Sequence, residues 1–356
     1  MTRDAKRLSA DGHFKRRPRG FGGVGNNPTF GRLALPPGAC VPIIGAPDMK
    51  PLATALAVSL TLALPGASWA CSICRCGDPT FNALGTEGIS LPGFKLALDW
   101  EEVQKSQGSR DEEFSSVLEH RSTLFAAWSP SDRLSIFARV PFAERDLIEA
   151  EGGETERSNA SGLADPELSA QVRLWSSQFN GDVGIRSSVF LVGGVKTDWG
   201  VNDRTAGGER LDEHVQPGTG STDWFAGISG FYQLDRRSAV FASTQYRETG
   251  RNDFGYRYGS ALLLNVAYEH KLGTRWDAVI EMNYRDADYD EIDGSGILDP
   301  DTGGSMTYAT PRILFDAGRG WVLRGSAQLP LTQSGLHGVQ HEEPVWNLGV
   351  TRLFSR

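Results

Sequence analysis

The chain has 356 residues, 39% hydrophobic and 22% charged, with 36 Lys and Arg against 44 Asp and Glu for a formal charge of −8. No run of about eighteen apolar residues offers a membrane-crossing helix, no Gly period or heptad marks collagen or a coiled coil, and four cysteines cannot build a disulfide scaffold. A membrane β-barrel stays open, because strands that alternate lipid-facing and lumen-facing residues average out as polar, and 42 Gly with 9 Trp, 8 Tyr and 17 Phe suit a β-rich chain with many turns.

Residues 1–48 are basic and rich in Gly and Pro, as in Arg16-Arg17-Pro18-Arg19-Gly20, and carry no hydrophobic period. They are expected to be a disordered basic extension or the product of a start placed too early. At Met49 the character changes. Met49-Lys50 is a short positive region, Leu52 to Leu64 a compact apolar run, and Ser68-Trp69-Ala70 a small-x-small cleavage site. That order reads as a secretory signal peptide over 49–70, with Met49 as the expected true start. Its removal discards more bases than acids, and the acidic remainder argues against a nucleic-acid partner.

Residues 71–93 are expected to form a periplasmic Cys-rich segment. It opens Cys71-Ser72-Ile73-Cys74-Arg75-Cys76-Gly77-Asp78. Cys-x-x-Cys lets two thiolates reach one ion and Cys-x-Cys adds a third, so Cys71, Cys74 and Cys76 are candidate metal ligands. Soft sulfur would favour Cu or Zn there, with water, Asp78 or a partner protein completing the site. Other readings stand beside this one: a disulfide formed in an oxidising compartment, a lipid on Cys71, or a segment that only folds into the barrel mouth. No His follows Cys74 or Cys76, so haem attachment is not indicated.

From residue 94 onward one pattern repeats, about ten alternating residues and then a turn signal. Trp276, Ala278, Ile280, Met282 and Tyr284 share one face, with Asp277, Glu281, Asn283 and Arg285 on the other. Leu168, Ala170, Val172 and Leu174 likewise oppose Glu167, Ser169, Gln171 and Arg173. Period two marks a strand with two different faces. Such segments lie near 94–101, 116–128, 133–144, 165–175, 182–194, 222–233, 238–247, 257–270, 275–285, 305–315, 320–331 and 344–354.

The connections add a rhythm. Those after every second segment are short, among them Ser129-Pro130-Ser131-Asp132 and Leu234-Asp235-Arg236-Arg237, while 145–164, 195–221, 286–304 and 332–343 are long. Short periplasmic turns opposite longer extracellular loops are the plan of an outer-membrane barrel. The expected fold is therefore all-β, a transmembrane antiparallel up-and-down β-barrel of about twelve strands over 94–356. Aromatic residues near strand ends, including Trp100, Trp128, Trp175, Trp224, Trp276, Trp321 and Trp346, suit the two bilayer surfaces. A secreted β-sandwich is the rival, but it would need shorter strands and less regular turns.

Gly162-Leu163-Ala164-Asp165-Pro166-Glu167-Leu168, opening the fourth strand, and Pro217-Gly218-Thr219-Gly220-Ser221-Thr222-Asp223-Trp224, opening the sixth, carry a family likeness. The chain resembles the bacterial outer-membrane transporters of the phenol-degradation MetA-pathway type, which are distantly similar to fatty-acid channels. The resemblance covers 94–356. It implies a twelve-stranded barrel in a Gram-negative outer membrane and passage of small, often hydrophobic, solutes. The terminal Val345–Phe354 segment also resembles the strand by which the barrel-assembly machinery recognises its clients, although Ser355-Arg356 follow the aromatic residue.

On the polar strand faces, Arg121, Arg139, Arg173, Arg186, Glu281, Arg285 and Arg324 are the candidate lumen-lining residues. Such charges either pair into a closed interior or line a wet channel. Asp286, Asp288, Asp290, Glu291 and Asp293 are spaced as in a calcium loop, but Ile297 stands where the bidentate Glu belongs, so a solvated acidic rim is expected. His337, His341, Glu342 and Glu343 read as a polar outer loop. His120 and His270 fall within strands, but no Gly-x-Ser-x-Gly elbow supports an enzyme.

Overall fold

The computed structural model describes residues 92–108, 113–151, 154–178, 185–292, 294–299, 302–333 and 341–355, all within the unit Pro65–Arg356. They form a closed antiparallel barrel of twelve strands. The first four are β1 (Gly93–Gly108), β2 (Glu113–Ser129), β3 (Leu134–Glu151) and β4, which runs in two lengths, Glu154–Leu163 and Glu167–Gln178. Next come β5 (Ile185–Lys196), β6 (Asp223–Gln233), β7 (Ser238–Glu248) and β8 (Ala261–Lys271). The last four are β9 (Trp276–Ala287), β10 (Gly304–Gly318), β11 (Trp321–Gln333) and β12 (Val345–Ser355). Each strand pairs with the next, and β1 closes the cylinder on β12 through a ladder from Gly93–Ser355 to Glu102–Trp346. Closure leaves no strand edge within the barrel wall, which a bilayer requires because it cannot solvate a free edge.

Alternation decides which way the side chains face. On β9, Trp276, Ile280 and Met282 are exposed, whereas Glu281 and Asn283, on either side of Met282, are fully buried. Leu348 on β12 is 60% exposed and Leu174 on β4 is 59% exposed. An apolar ring of that kind around a whole circumference belongs in lipid rather than water. Trp128, Trp175, Tyr232, Trp276 and Trp321 border it at the end with the short turns, and Trp100, Trp224, Tyr246 and Trp346 border it at the other end. Ring systems with an apolar body and a polar tip settle at those two surfaces.

The short turns are built locally. Asp235 Oδ1 accepts from the Arg237 and Ser238 amides at 2.7 and 2.9 Å. Gly318, Arg319 and Gly320 all take positive φ, which reverses the chain between β10 and β11 in the fewest residues.

At the opposite end the strands outrun the sequence pattern. Of residues 145–164, expected as a loop, 145–151 and 154–163 instead continue the β3–β4 hairpin, with a ladder from Phe142–Leu163 to Glu151–Glu154. Residues 102–108 and 113–115 likewise extend the β1–β2 hairpin. Conversely, residues 257–260 belong to an outer loop, and β8 begins at Ala261. Among the described residues no helix is long and apolar enough to cross a membrane.

Candidate functional site in the barrel lumen

The site grows from the break in β4. Pro166 has no N–H to donate and interrupts the ladder at Ala164–Pro166. There the chain leaves strand geometry, and its groups are taken up by the connection between β5 and β6. Thr197 N donates to Pro166 O and Val201 N to Leu163 O, each at 2.8 Å. The break turns Asp165 inward, where it is buried. Its Oδ2 accepts from Thr219 N at 2.7 Å, Thr219 Oγ1 at 2.6 Å and Lys196 Nζ at 3.0 Å, and its Oδ1 accepts from Gly200 N at 3.0 Å. Lys196 also lies 3.2 Å from Asp223 and donates to Ser221 O at 2.8 Å.

The glycines of this region are there for room and for backbone shape. A Cβ on Gly218 would stand 2.7 Å from Gly200 Cα and 2.9 Å from Asp165 Oδ1. Gly220 has φ +66°, and its missing Cβ leaves space for the Asn202 amide. The two sequence motifs that carry the family likeness thus meet at one buried carboxylate.

From this knot a lattice of paired charges covers the inner wall. Glu167 accepts from Arg247 Nη2 at 2.7 Å, reaching across β5 and β6, and lies 3.7 Å from Arg139. The Arg247 and Arg139 guanidiniums cover the Phe225 and Phe125 rings at 5.1 and 5.6 Å. Glu119 pairs with Arg121 at 2.6 Å and with Arg145 at 2.9 Å. On the facing wall Arg324 pairs with Asp99 and bonds Thr351, and Arg312 pairs with Glu281 at 3.0 Å. Asn283 donates to Asn265 Oδ1 at 2.9 Å while its own Oδ1 accepts from Thr310 at 2.8 Å. Lys105 pairs with Glu342 at 3.4 Å, so Glu342 is a buried partner rather than part of a polar loop. A buried charge left unpaired is costly, and a lattice of this extent is how a polar inner wall is kept folded.

The outer loops fold against that wall. Arg145 Nη1 donates to His214 O at 3.0 Å and Gln216 O at 2.5 Å. Val215 packs with Val117, Leu147 and Ala160 on the inward faces of the long hairpins. Tyr258 Oη donates to Glu213 O at 2.9 Å, and Tyr256 Oη donates to Asp290 Oδ2 at 2.6 Å and stands 3.3 Å from His214 Nε2. Three connections, 197–222, 249–260 and the described residues of 288–303, are thereby clasped together over the mouth. Asp290 is buried, not part of a solvated rim. Burial pushes its carboxyl above the usual aspartate range, and the Tyr256 hydroxyl offsets only part of that rise. Glu291 pairs with Arg257 at 3.2 Å and also with Arg251. Among the described residues no group of His, Cys, Asp and Glu is arranged to hold a metal ion.

Towards the short turns the inner lining changes character. Ala239, Phe241, Ala267, Val279 and Leu314 cluster with Phe231 and Val322 on one side, and Ala97, Phe125 and Ala127 with Phe137 on the other. They share strand faces with charged residues, and several lie directly across a ladder from one, Phe125 from Arg139, Val279 from Arg312 and Leu314 from Arg324. The lining at the turn end is therefore apolar clusters set among paired charges.

Of the candidate lumen-lining residues, Arg121, Arg139, Arg173, Glu281, Arg285 and Arg324 lie on inward strand faces. Arg121, Arg285 and Arg324 are buried, and Glu281 fully so. Arg186 departs from this set. A register irregularity opposite Ser177 and Gln178 sets it out of step with its strand, and it is exposed, packed over the exposed Tyr232 ring at 5.1 Å. His120 stacks on Trp100 and bonds Glu102 at 3.3 Å, and His270 Nδ1 lies 2.9 Å from the Ser238 hydroxyl at the short-turn end. Cys71, Cys74, Cys76 and His337 lie outside the described residues. The sequence motifs contain Asp165, Thr219 and Asp223 but do not mark them as lumen residues, and Lys196 lies in neither motif.

No protein-family model matches the chain, and no curated protein matches it significantly. Solved structures do. An outer membrane channel from Pseudomonas putida F1 superposes with a TM-score of 0.57 at 12% identity, over 75% of this chain and 97% of that one. The transport unit of the autotransporter AIDA-I from Escherichia coli gives 0.44 at 11% identity, over 87% and 99%. The Ralstonia pickettii toluene transporter TbuX gives 0.39 at 11% identity, over 75% and 92%. The first of these likenesses supports the fold of the barrel; the other two scores carry no further weight.

Proposed function

We propose that the protein is an outer-membrane channel of a Gram-negative bacterium that passes small hydrophobic solutes, with its long loops outside and its short turns in the periplasm. The carrying observation is the lumen floor, where Phe231, Phe241, Val279 and Leu314 face Phe125 and Phe137 inside a barrel already apolar on its outer surface. A solute with little hydration to give up gains from such a lining, whereas a hydrated one gains nothing. The charges beside these clusters are paired with one another, as Arg312 is with Glu281 and Arg139 with Glu167, which keeps the wall folded around them. The fold agrees with this reading, since a P. putida outer membrane channel is built on it.

Its immediate partners are the lipid around the apolar belt and the passing solute, with the barrel-assembly machinery recognising the strand that ends at Phe354. Conductance and solute flux through purified protein in planar bilayers and liposomes test the proposal. A barrel that stays silent in bilayers, together with uptake unchanged on deletion, would overturn it.

A further inference from the structure

We infer that Arg173, at the short-turn end of the lumen, is a docking point for a carboxylate carried on a flat apolar body such as an aromatic ring. This rests on the channel reading above, since it names a class of solute for the same lumen. Arg173 stands on the inward face of β4, and its side chain is 6% exposed. Nη1 reaches Asp132 Oδ2 at 3.2 Å in the turn between β2 and β3, where that carboxylate is 63% exposed and holds the arginine weakly.

Among the described residues Nε and Nη2 have no hydrogen-bond partner. These two N–H groups lie side by side along one edge of the guanidinium, and together they form the fork that matches both oxygens of a carboxylate. Arg121 and Arg139 each lack a partner at Nε only. A fork taken out of water with nothing to accept from it is unfavourable, and native structures keep such groups where a ligand or ion completes them.

The surroundings supply the rest of the recognition. Phe190 pairs with Arg173 across the β4–β5 ladder, is 2% exposed, and holds its ring 5.8 Å from the guanidinium carbon. A flat ring entering beside it extends the stack while its carboxylate meets the fork. Ser188, on the same inward face as Phe190, has a buried hydroxyl without a partner, a further donor for a carboxylate oxygen. The ladder shifts register between Arg173 and Trp175, and bulges of this kind re-aim side chains beside binding sites.

The test is equilibrium dialysis of the purified full chain in detergent against radiolabelled benzoate, with benzyl alcohol as the uncharged analogue. Wild type should retain benzoate, and Arg173→Gln should weaken retention by about tenfold or more. Arg173→Lys, which keeps the charge but loses the fork, should weaken it almost as much, and benzyl alcohol should distinguish none of the three proteins. Heat-modifiable migration reports that each variant is folded, and Arg186→Gln serves as a control that leaves binding unchanged. Wild type retaining no more benzoate than empty micelles, or Arg173→Gln retaining it equally, overturns the site. A barrel silent in bilayers that still binds benzoate through Arg173 would remove the channel and leave the subsite; a conducting barrel whose benzoate retention ignores Arg173 would do the opposite.

Discussion

Asp165 and Thr219 are 54 residues apart and meet through two hydrogen bonds to one carboxylate oxygen, 2.7 Å from the amide and 2.6 Å from the hydroxyl. The bond pair joins the broken fourth strand to the connection that folds over the mouth. The carboxylate anchors the connection at its base, as Arg145 does further along through the buried Gln216.

Asp165→Asn keeps the shape of the side chain but removes the charge facing Lys196 and sets an amide against donors. Breaking one partner of a buried pair costs about 3–5 kcal/mol. Asp223, 3.2 Å from Lys196, retains part of the pairing, which puts the expected loss near the lower end, about 3 kcal/mol. The folded band on a semi-native gel should melt at a lower temperature, and trypsin should cut at Arg204 or Arg210 where wild type resists. An unchanged melting point with unchanged cleavage would show that the anchor lies elsewhere.

The clasp at Asp290 should depend on pH in the sense opposite to a salt-bridged carboxylate. Burial raises its folded pKa above the unfolded value, so the protonated form is favoured in the native state. Its contribution is fully present below the ordinary aspartate value near pH 4 and is lost as pH climbs through the raised one. Asp290→Asn mimics the protonated form and should hold the 249–260 connection equally at both ends of that window. Amide hydrogen exchange at pH 4 and pH 7 reads this directly, after correction for the intrinsic rate. Equal protection of the wild-type connection at both pH values would rule the device out.

All twelve strands were legible in the sequence because lipid imposes a strict period of two wherever one face is apolar and the other is not. That signal fails above the bilayer. In 145–151 the outward Asp146 and inward Arg145 are both polar, so the β3–β4 hairpin looks like loop although its ladder continues. It also weakens at the short-turn end, where Phe241 and Val279 line the lumen and both strand faces are apolar. Arg186 was misplaced because a register irregularity leaves no trace in composition. The knot of Asp165, Lys196 and Thr219 depends on closure in three dimensions, and only its glycines and Pro166 announced it.

If the exposed ring is the lipid face, a charge placed within it must be costly while its inward neighbour tolerates polarity. Val266 is 53% exposed between the aromatic borders, and the adjacent Asn265 is buried in the inner lattice. Val266→Arg should destabilise the barrel in vesicles by about 2–4 kcal/mol if its depth is near the midplane. Urea titration of the folded band in liposomes measures it. The same variant in a short-chain detergent, which lets the arginine reach water, should lose much less. Equal loss in both would mean that this face does not meet lipid.

Arg145 holds both the wall and the folded-in connection, through Glu119 on one side and the His214 and Gln216 carbonyls on the other. Arg145→Met keeps the aliphatic stem packed and removes all three bonds. Glu119 keeps Arg121 at 2.6 Å, so the wall retains a paired carboxylate and the barrel should still fold. The connection keeps its Asp165 anchor at the base but loses its tie at the tip, where Val215 packs against Val117 and Leu147. Single-channel recordings should therefore show a larger open conductance or longer open dwells than wild type. Arg145→Lys, which preserves the charge but cannot reach both carbonyls with one fork, should fall between the two. Recordings of Arg145→Met that overlay the wild type would mean that the connection does not restrict the path, and that the constriction belongs to the apolar floor below it.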